Sequence, residues 1–417
     1  MLLRRLNRTL RRLPFSLLLL AATPFLIEVL VHQWRYQVPR PSTDLDPPFF
    51  TSCQEPDVSA ERENAAFVML ARNKERYKAK KTIQSIEEHF NKWFNYPIVF
   101  LNDEPWEDRF IADLNRTAGG KGIFEVIPKE QWTFPTWLDQ ESAKKSIKKQ
   151  GDAGTVHAGL EGYHHMCRFY SGKFYQLDAL KKYKWYWRLE PDVDYTCAIT
   201  YDPFVQMAKH KKVYGYTIAL WEVGTSCPSL FRATADWKER MGITTSRLWS
   251  ATIEASWMPF PFRRFLSWIS HRDAYGDAWS LCHYWSNFEI ADMDFFRSKA
   301  YQDYFEYLDK RGGFYHERWG DAAVHSLAVA MLLDPAQVHH FEDIGYRHAK
   351  FYQCPANAAG GQLHDSSALA ENTPYSPETA GGIGCRCKCK NEKTRNFRPY
   401  CMDRLKRPTS PKKMRAL

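Results

Sequence analysis

Several motifs that mark common enzyme classes are absent from this sequence of 417 residues. It contains no G-x-x-x-x-G-K-[ST] loop, no G-x-G-x-x-G turn, no H-E-x-x-H pair and no G-x-S-x-G elbow. Their absence argues against kinases, dehydrogenases, zincin-type metalloproteases and esterases. Disorder is also excluded as a description of the whole chain, because 44% of its residues are apolar.

The body of the chain lacks a basic surplus, although the formal net charge is +10. Residues 1–12 contribute +5 and residues 386–417 contribute +10, so residues 13–385 carry −5. A nucleic-acid binder is expected to show its basic footprint on the folded domain. We therefore expect no nucleic-acid partner, and we interpret the basic ends as a topogenic signal and a solvated tail.

The start of the chain has the pattern of a membrane anchor. Five Arg precede an apolar run from Leu13 to Val31, which is near the lower length limit of a span and contains Pro24 and Glu28. A cleaved signal peptide is the alternative, since a basic start and a short apolar core fit it too. No small-x-small cleavage site follows and a Pro-rich stalk does, so we favour an anchor with the Arg cluster in the cytosol. In either case the remaining chain enters the secretory lumen.

These features divide the chain into segments. Ten Cys suit an oxidising lumen, and the alternating Cys near the C-terminus lack the usual C-x-x-C spacing of zinc sites, so disulfides are the favoured interpretation. We predict the following parts: a cytosolic tail at 1–12, a signal-anchor transmembrane helix at 13–31, a stem at 32–60, a catalytic domain at 61–355 with an insertion or lid at 228–280, and a Cys-rich basic segment at 356–417.

The apolar patterns of the main domain predict a parallel α/β sheet. Two short apolar runs, at 65–70 and 96–101, are typical of buried strands, and residues at helical spacing lie between them. Ligands of such sheets bind at the carboxyl ends of the strands, which makes Arg72 a candidate nucleotide contact. Further strands are predicted at 185–189 and 213–220.

One strand runs into three carboxylates at alternate positions, in the segment YWRLEPDVDY. In extended chain, Glu190, Asp192 and Asp194 share one face and form a candidate site for Mg²⁺ or Mn²⁺ bridging a diphosphate. The alternative is a solvated acidic turn, which Pro191 favours.

Three more segments carry candidate groups. Glu289 lies in an apolar-aromatic run, where a buried carboxylate is either paired or functional. Asp321 precedes an apolar helix, as an N-cap or as a functional group, and His325 one turn later is interpreted as structural. His348 follows another apolar stretch, and its imidazole suits Mn²⁺ or Zn²⁺.

Five segments in this order resemble the fungal α-1,2-mannosyltransferases of glycosyltransferase family 15: YHHMCRFYSGKFY, YWRLEPDVDY, CHYWSNFEIAD, ERWGDAAVHS and EDIGYRH. The resemblance spans roughly residues 62–355. It implies a GT-A-type α/β fold with a mixed central sheet, a type II Golgi membrane topology, and retaining transfer of mannose from GDP-mannose, with Mn²⁺, to mannose-terminated glycans of glycoproteins.

The resemblance also implies roles for single residues. Glu190 and His348 correspond to the metal ligands, with diphosphate oxygens completing the shell, so Glu190 is favoured over the D-x-D pair. Glu289 corresponds to the nucleophile or to a carboxylate that stabilises the reacting carbon, and Asp321 to a carboxylate on the acceptor side. The remaining candidates for cofactor binding are Tyr163 and Arg168 from the EGYHHMCRF segment, with Arg72 and Asp192.

Two alternatives remain open from the sequence. One is an inactive lumenal glycan-binding or scaffold protein of the same fold. The other is a transferase with a different nucleotide sugar, such as a UDP-sugar, because no motif fixes the guanine contacts. The segment between Cys227 and Cys282 departs from the family in being long and rich in Arg and Trp, and a lid there would reshape the acceptor side.

Overall fold

The computed structural model describes residues 15–42, 45, 53–360, 375–388 and 400–412. The predicted cytosolic tail, the first two residues of the predicted anchor and much of the predicted C-terminal segment lie outside the described residues.

Sixteen strands are present in the part of the chain that the structure describes. They are β1 (Ala65–Leu70), β2 (Ile98–Asn102), β3 (Gly122–Val126), β4 (Trp185–Leu189), β5 (Val193–Tyr195), β6 (Tyr214–Tyr216), β7 (Ala219–Trp221), β8 (Ile253–Glu254), β9 (Ala278–Trp279), β10 (Cys282–Tyr284), β11 (Glu289–Asp292), β12 (Val338–His340), β13 (Tyr346–His348), β14 (Phe351–Gln353), β15 (Asn357–Ala358) and β16 (Glu378–Thr379).

The α-helices of the same residues are α1 (Phe15–Arg35), α2 (Arg76–Ile86), α3 (Lys92–Phe94), α4 (Asp108–Thr117), α5 (Gln140–Asp152), α6 (Glu161–Gly172), α7 (Asp178–Lys181), α8 (Pro203–Lys209), α9 (Leu230–Arg240), α10 (Arg247–Thr252), α11 (Met293–Arg297), α12 (Lys299–Lys310), α13 (Gly313–His316), α14 (Asp321–Leu332) and α15 (Tyr400–Lys406).

A seven-stranded mixed sheet forms the centre, in the order β12-β6-β11-β4-β1-β2-β3. Strands β3, β2, β1 and β4 run parallel, and β11 is antiparallel to both β4 and β6. Apolar clusters cover both faces, which explains why β1, β2 and β4 are buried along almost their whole length. The mixed α/β architecture is as predicted.

Two secondary-structure predictions, the helix after β1 and the strand at 213–220, differ in part from the structure. The predicted helix after β1 contains a π turn at Glu87–Asn91. A π turn holds one more residue than an α-helical turn, so the residues after it are rotated about the helix axis. As a result Phe94 is buried, whereas Trp93 is only half-buried. The single strand predicted at 213–220 is two strands, β6 and β7, which belong to different sheets.

Helix α1 carries the apolar run of the predicted anchor. Its outward side chains are largely exposed, whereas Val29 and His32 are buried against the rest of the protein. Among the described residues, no helix reaches the combination of length and apolarity that a membrane crossing requires.

Disulfides tie the C-terminal segment to the body, as predicted. Cys53 pairs with Cys385, Cys197 with Cys387, and Cys282 with Cys401, and Cys354 is also disulfide-bonded. The predicted stem also contacts the C-terminal segment. The main chain of Ser42 donates a hydrogen bond to Ser410 and accepts one from Lys412.

Residues 228–280, predicted to be an insertion or lid, contain helices α9 and α10. Helix α9 packs on α12, and α10 packs on α14. The following loop, residues 257–269, contains a 3₁₀ turn. The lid role of residues 228–280 stays a prediction.

Candidate active site

The candidate site lies where β4 and β11 meet beneath the N-terminus of α14. Strand β11 runs antiparallel to β4, so its first residue, Glu289, pairs directly with Arg188 near the carboxyl end of β4. The start of one strand is thereby placed beside the end of the other, at the edge of the sheet where ligands of α/β proteins bind.

The three carboxylates after β4 do not converge. Glu190 accepts a hydrogen bond from Arg188 at 2.6 Å, whereas Asp192 faces Lys78 at 3.0 Å and Asp194 faces Arg347 at 3.0 Å. The expectation of a shared face is wrong because the segment turns after β4, and Asp192 has a φ of 78°.

Arg188 is the centre of the site. Its guanidinium is buried and donates to Glu190 and, at 2.6 Å, to Asp321. It also lies 3.6 Å from the ring centroid of Tyr170, a cation–π contact. A buried cation on an otherwise apolar strand is stable here because two carboxylates and an aromatic face replace its water.

Asp321 is buried at the first residue of α14, and the N-cap of that helix is Gly320 rather than Asp321. Its carboxylate accepts from Arg188 and from the hydroxyl of Ser286 at 2.7 Å. Burial raises the pKa of Asp321, but Arg188 and then His325 outweigh burial and hold that pKa below its ordinary value. Asp321 is therefore ionised at neutral pH.

Glu289 is fully buried and paired with His325, which lies one turn into α14. Its Oε1 is 2.9 Å from Nδ1 of His325, and Nε2 of that ring is 3.0 Å from the main-chain oxygen of Tyr170. The main-chain oxygen of Tyr170 can only accept a hydrogen bond, so Nε2 of His325 carries a proton. The contact between Nδ1 and Oε1 of Glu289 requires a second proton between these two atoms. The other oxygen of Glu289, Oε2, has no well-formed hydrogen bond among the described residues, but the hydroxyls of Tyr186 and Tyr214 lie beside this carboxylate, and burial and then the charge of Glu289 raise the pKa of both tyrosines.

His348 lies in β13 and pairs with Val193 of β5, close behind the turn that carries Glu190. The ring stacks on Trp285 with centroids 5.0 Å apart. Its Nδ1 is 2.6 Å from the amide nitrogen of Asn287, whose oxygen accepts from the hydroxyl of Tyr346 at 2.9 Å. Burial raises the pKa of that tyrosine, and Glu190 is among the charges that raise it further, so the two ligand candidates share one neighbourhood.

Tyr163 borders the same region from α6. Its ring stacks on His157 with centroids 5.0 Å apart, and the guanidinium of Arg318 lies 5.6 Å from its centroid. Arg318 is in turn held by Glu222 at 2.9 Å. Burial raises the pKa of Tyr163 well above its ordinary value, so the ring is a neutral wall of the site.

Two predicted cofactor contacts lie outside this cluster. Arg168 is buried and makes a bidentate pair with Asp309 at 2.7 and 2.8 Å, so its guanidinium is engaged within the fold. Arg72 follows β1 as predicted, but it is exposed and pairs with Glu75 within the same turn.

The sequence interpretation passed over four residues of the cluster: Arg188, Ser286, Asn287 and His325. A signal for Arg188 was present, because a cation within WYWRL has to be paired when the strand is buried. His325 was interpreted as structural, although a buried imidazole four residues after a carboxylate on an apolar helix is placed to meet a polar partner.

The donor set fits a divalent metal of the Mn²⁺ type. Within the described residues, no three His, Cys, Asp or Glu side chains form a metal-binding group. A carboxylate and an imidazole are donors that suit Mn²⁺, and Glu190 and His348 stay the predicted ligands. Binding through Nε2 of His348 requires the proton on Nδ1. The amide of Asn287 then presents its oxygen to Nδ1 and its nitrogen to Tyr346, an exchange that keeps the heavy-atom positions.

Comparison with known families gives one extended match. The family described as glycolipid 2-alpha-mannosyltransferase matches residues 39–367. Probable mannosyltransferase KTR7 of Saccharomyces cerevisiae is 37% identical, with 91% of this chain and 84% of that protein covered. O-glycoside alpha-1,2-mannosyltransferase homolog 4 of Schizosaccharomyces pombe is 39% identical, over 82% of this chain and 77% of that protein.

Solved structures show the same similarity. Core-mannan synthase A (CmsA/Ktr4) from Aspergillus fumigatus, in its Mn/GDP form, matches with a TM-score of 0.65 and 35% identity, covering 74% of this chain and 83% of that one. The mannosyltransferase Ktr4p from S. cerevisiae, in complex with GDP, matches with a TM-score of 0.66 and 33% identity over 82% and 84%. The mixed α/β fold is therefore that of this group of glycosyltransferases.

Proposed function

Because the chain belongs to the glycolipid 2-alpha-mannosyltransferase family, glycosyltransferase family 15, we propose that it transfers mannose from GDP-mannose to a mannose-terminated glycan of a glycoprotein. The bond formed is α-1,2, with retention of the donor's configuration. The GDP found with two similar structures supports the choice of donor over a UDP-sugar. The intact cluster around Arg188 supports an active enzyme over a scaffold.

The observation that carries the proposal is the convergence of Glu190, Glu289 and Asp321 around Arg188, with His348 beside them. Glu190 and His348 are the residues that would hold Mn²⁺. A metal bound there stabilises the negative charge of the departing GDP.

The protein side chains supply the rest of the chemistry. We assign to Glu289 the stabilisation of the positive charge that develops at the anomeric carbon, and His325 keeps its Oε1 in place. The bond from the anomeric carbon to the phosphate oxygen breaks, the bond to the acceptor hydroxyl oxygen forms, and the proton of that hydroxyl passes to the departing phosphate oxygen. Asp321, held ionised by Arg188, lies on the acceptor side and orients that hydroxyl.

We place the enzyme in the Golgi membrane as a single-pass type II protein, with the anchor at 13–31 and the catalytic domain in the lumen. Disulfides of the C-terminal segment support a lumenal location, since such bonds persist in oxidising compartments.

A transfer assay on the full chain in detergent tests the proposal, using GDP-mannose, Mn²⁺ and α-methyl mannoside, with and without EDTA. Metal-dependent formation of a dimannoside is the expected result. Thermal stabilisation by GDP and by UDP, each with Mn²⁺, separates the donors because a bound ligand raises the unfolding temperature. Stabilisation by UDP alone would replace the donor, and no transfer or nucleotide binding at all would favour the scaffold alternative.

A further inference from the structure

The loop formed by residues 257–269, WMPFPFRRFLSWI, is unusually apolar for a protein surface; we call it the aromatic loop. Its large side chains point outward, with Trp257, Phe265 and Trp268 exposed by 73%, 72% and 83%. A cluster of exposed aromatic groups of this kind marks a surface that meets another apolar phase.

The aromatic loop packs along helix α1. The rings of Phe262 and Phe25 lie 5.9 Å apart. Glu28 accepts a hydrogen bond from the main-chain nitrogen of Phe260 at 2.9 Å and forms an ion pair with Arg263. The one carboxylate within the apolar run of α1 is therefore neutralised by the loop.

Two further contacts continue the packing toward the end of α1. His32 lies 2.8 Å from Asp277, and Gln33 donates to the main-chain oxygen of Ala255 at 2.9 Å. Together with the contacts at positions 25 and 28, these follow one face of the helix over more than two turns. The opposite face of α1 stays exposed, with the large apolar side chains of Leu19, Leu20, Ile27, Leu30, Val31 and Trp34.

The contacts fix how deep the loop lies if α1 is in a bilayer. Phe25 precedes the end of the predicted anchor, Val31, by six residues, which is about 9 Å along a helix. Phe262 packs against Phe25 and so lies at the depth of the acyl chains near the lumenal surface.

The composition of the loop suits that depth. Trp and Phe favour the boundary between headgroups and acyl chains, and the exposed Arg264 carries a long stem that lets its charge reach the headgroups. A groove of about 610 Å³ along α1 combines apolar side chains, such as Leu20, Ile27 and Val31, with Arg35 and the ion pair of Glu28 with Arg263.

We propose that the aromatic loop is a second membrane attachment, which enters the lumenal leaflet beside α1 and holds the catalytic domain against the bilayer. The partner is a lipid surface, chosen because the loop is continuous with an apolar helix whose outward face is also exposed. This inference rests on the anchor of the proposed function and is independent of the transfer reaction.

Depth-dependent quenching in vesicles tests the proposal. The full chain is reconstituted in phosphatidylcholine vesicles as the variants Phe265→Cys and Trp268→Cys, each labelled with a nitrobenzoxadiazole thiol reagent. The native free thiols, Cys167 and Cys227, are buried and stay unlabelled in the folded protein. The control is Tyr77→Cys on α2, a helix that packs on α4 and β5, and its side chain is equally exposed, by 72%.

The expected result is a blue-shifted emission at positions 265 and 268, with several-fold stronger quenching by acyl-chain nitroxide lipids than at position 77. Emission typical of water at both loop positions, in chain that floats with the vesicles, would overturn the loop insertion alone. A blue shift that lipid nitroxides do not quench would assign the loop to contact between copies of the chain and would also overturn it. Chain that fails to float would overturn the anchor and the loop insertion together, while the transfer assay still reports on the reaction.

Discussion

At the scale of single residues, the site is a set of buried charges that compensate one another. Arg188 donates hydrogen bonds to both Glu190 and Asp321, and Glu289 is hydrogen-bonded to His325. Removing one member leaves its partner desolvated and unpaired, which costs several kcal/mol in buried pairs. Isosteric neutral substitutions are therefore the informative ones.

We expect Glu289→Gln to reduce kcat by at least about 10²-fold, because the amide cannot stabilise positive charge at the anomeric carbon. Thermal stabilisation by GDP and Mn²⁺ should be retained. The control is Glu254→Gln, which should transfer normally. Glu254 is an exposed carboxylate that accepts a hydrogen bond from the hydroxyl of Tyr400. Unchanged transfer by Glu289→Gln would show that the assigned role is wrong.

We expect His325→Gln to lower kcat on the order of 10²-fold with KM for GDP-mannose little changed, because Glu289 loses the group that fixes its orientation. His164→Gln is a matched control, since His164 is also fully buried and its two ring nitrogens contact main-chain oxygens of Phe314 and Ala158. Both variants should lose comparable stability. Equal losses of kcat in the two would reduce His325 to a structural residue.

Asp343 predicts a pH dependence of stability. Burial raises its pKa to about 7, despite the hydroxyl of Tyr201 at 3.2 Å, against an ordinary value of 3.8. Between these values the folded chain keeps a proton that the unfolded chain releases, so this group's contribution is present below pH 3.8 and is lost as pH rises toward 7. Asp343→Asn should match the wild type near pH 4 and be more stable above pH 7, measured by urea unfolding; parallel curves would contradict the assignment.

At the scale of elements, the antiparallel strand β11 and the small sheet β14-β13-β5 bring distant segments to the end of β4. Short-range pattern located β1, β2 and β4 because nearly all of their residues are apolar. It could not specify that Glu289 pairs with Arg188 or that His348 pairs with Val193, since these pairings join residues far apart in sequence. The ligand roles of Glu190 and His348 came from the family resemblance, and the D-x-D expectation was wrong because a turn interrupts the extended chain.

The small sheet gives a prediction about metal affinity. We expect Asn287→Ala to weaken Mn²⁺ binding in the presence of GDP by about 10–100-fold, because the amide orients the ring of His348. Free Mn²⁺ measured by electron paramagnetic resonance reports the affinity directly, without turnover. Asn91→Ala removes another buried amide, which bonds Glu87 and Tyr96, and should leave the affinity unchanged. Equal affinities of the wild type and Asn287→Ala would remove Asn287 from the metal site.

At the scale of the whole molecule, covalent links join the end of the chain to its body. Helix α15 lies against β7 and β10, and Cys401 bonds Cys282 across 119 residues of sequence. We expect the double variant Cys282→Ser/Cys401→Ser to lose about 2–5 kcal/mol of stability, observed as a lower Tm under non-reducing conditions. Wild type treated with a thiol reductant should approach the same Tm or fall below it, and an unchanged Tm in the double variant would show that α15 docks without the bond.

The length of free chain between the predicted anchor and the catalytic domain decides how far that domain can move from its point of attachment. A free segment of this length would let the catalytic domain roam about 30 Å from its attachment point. Here Ser42 is hydrogen-bonded to the C-terminal segment, and Cys53 is bonded to Cys385, so most of that slack is taken up. With the proposed anchor in a bilayer, these links hold the domain at a nearly constant height above it, and under the proposed function a growing glycan must itself come within that narrow zone to be extended.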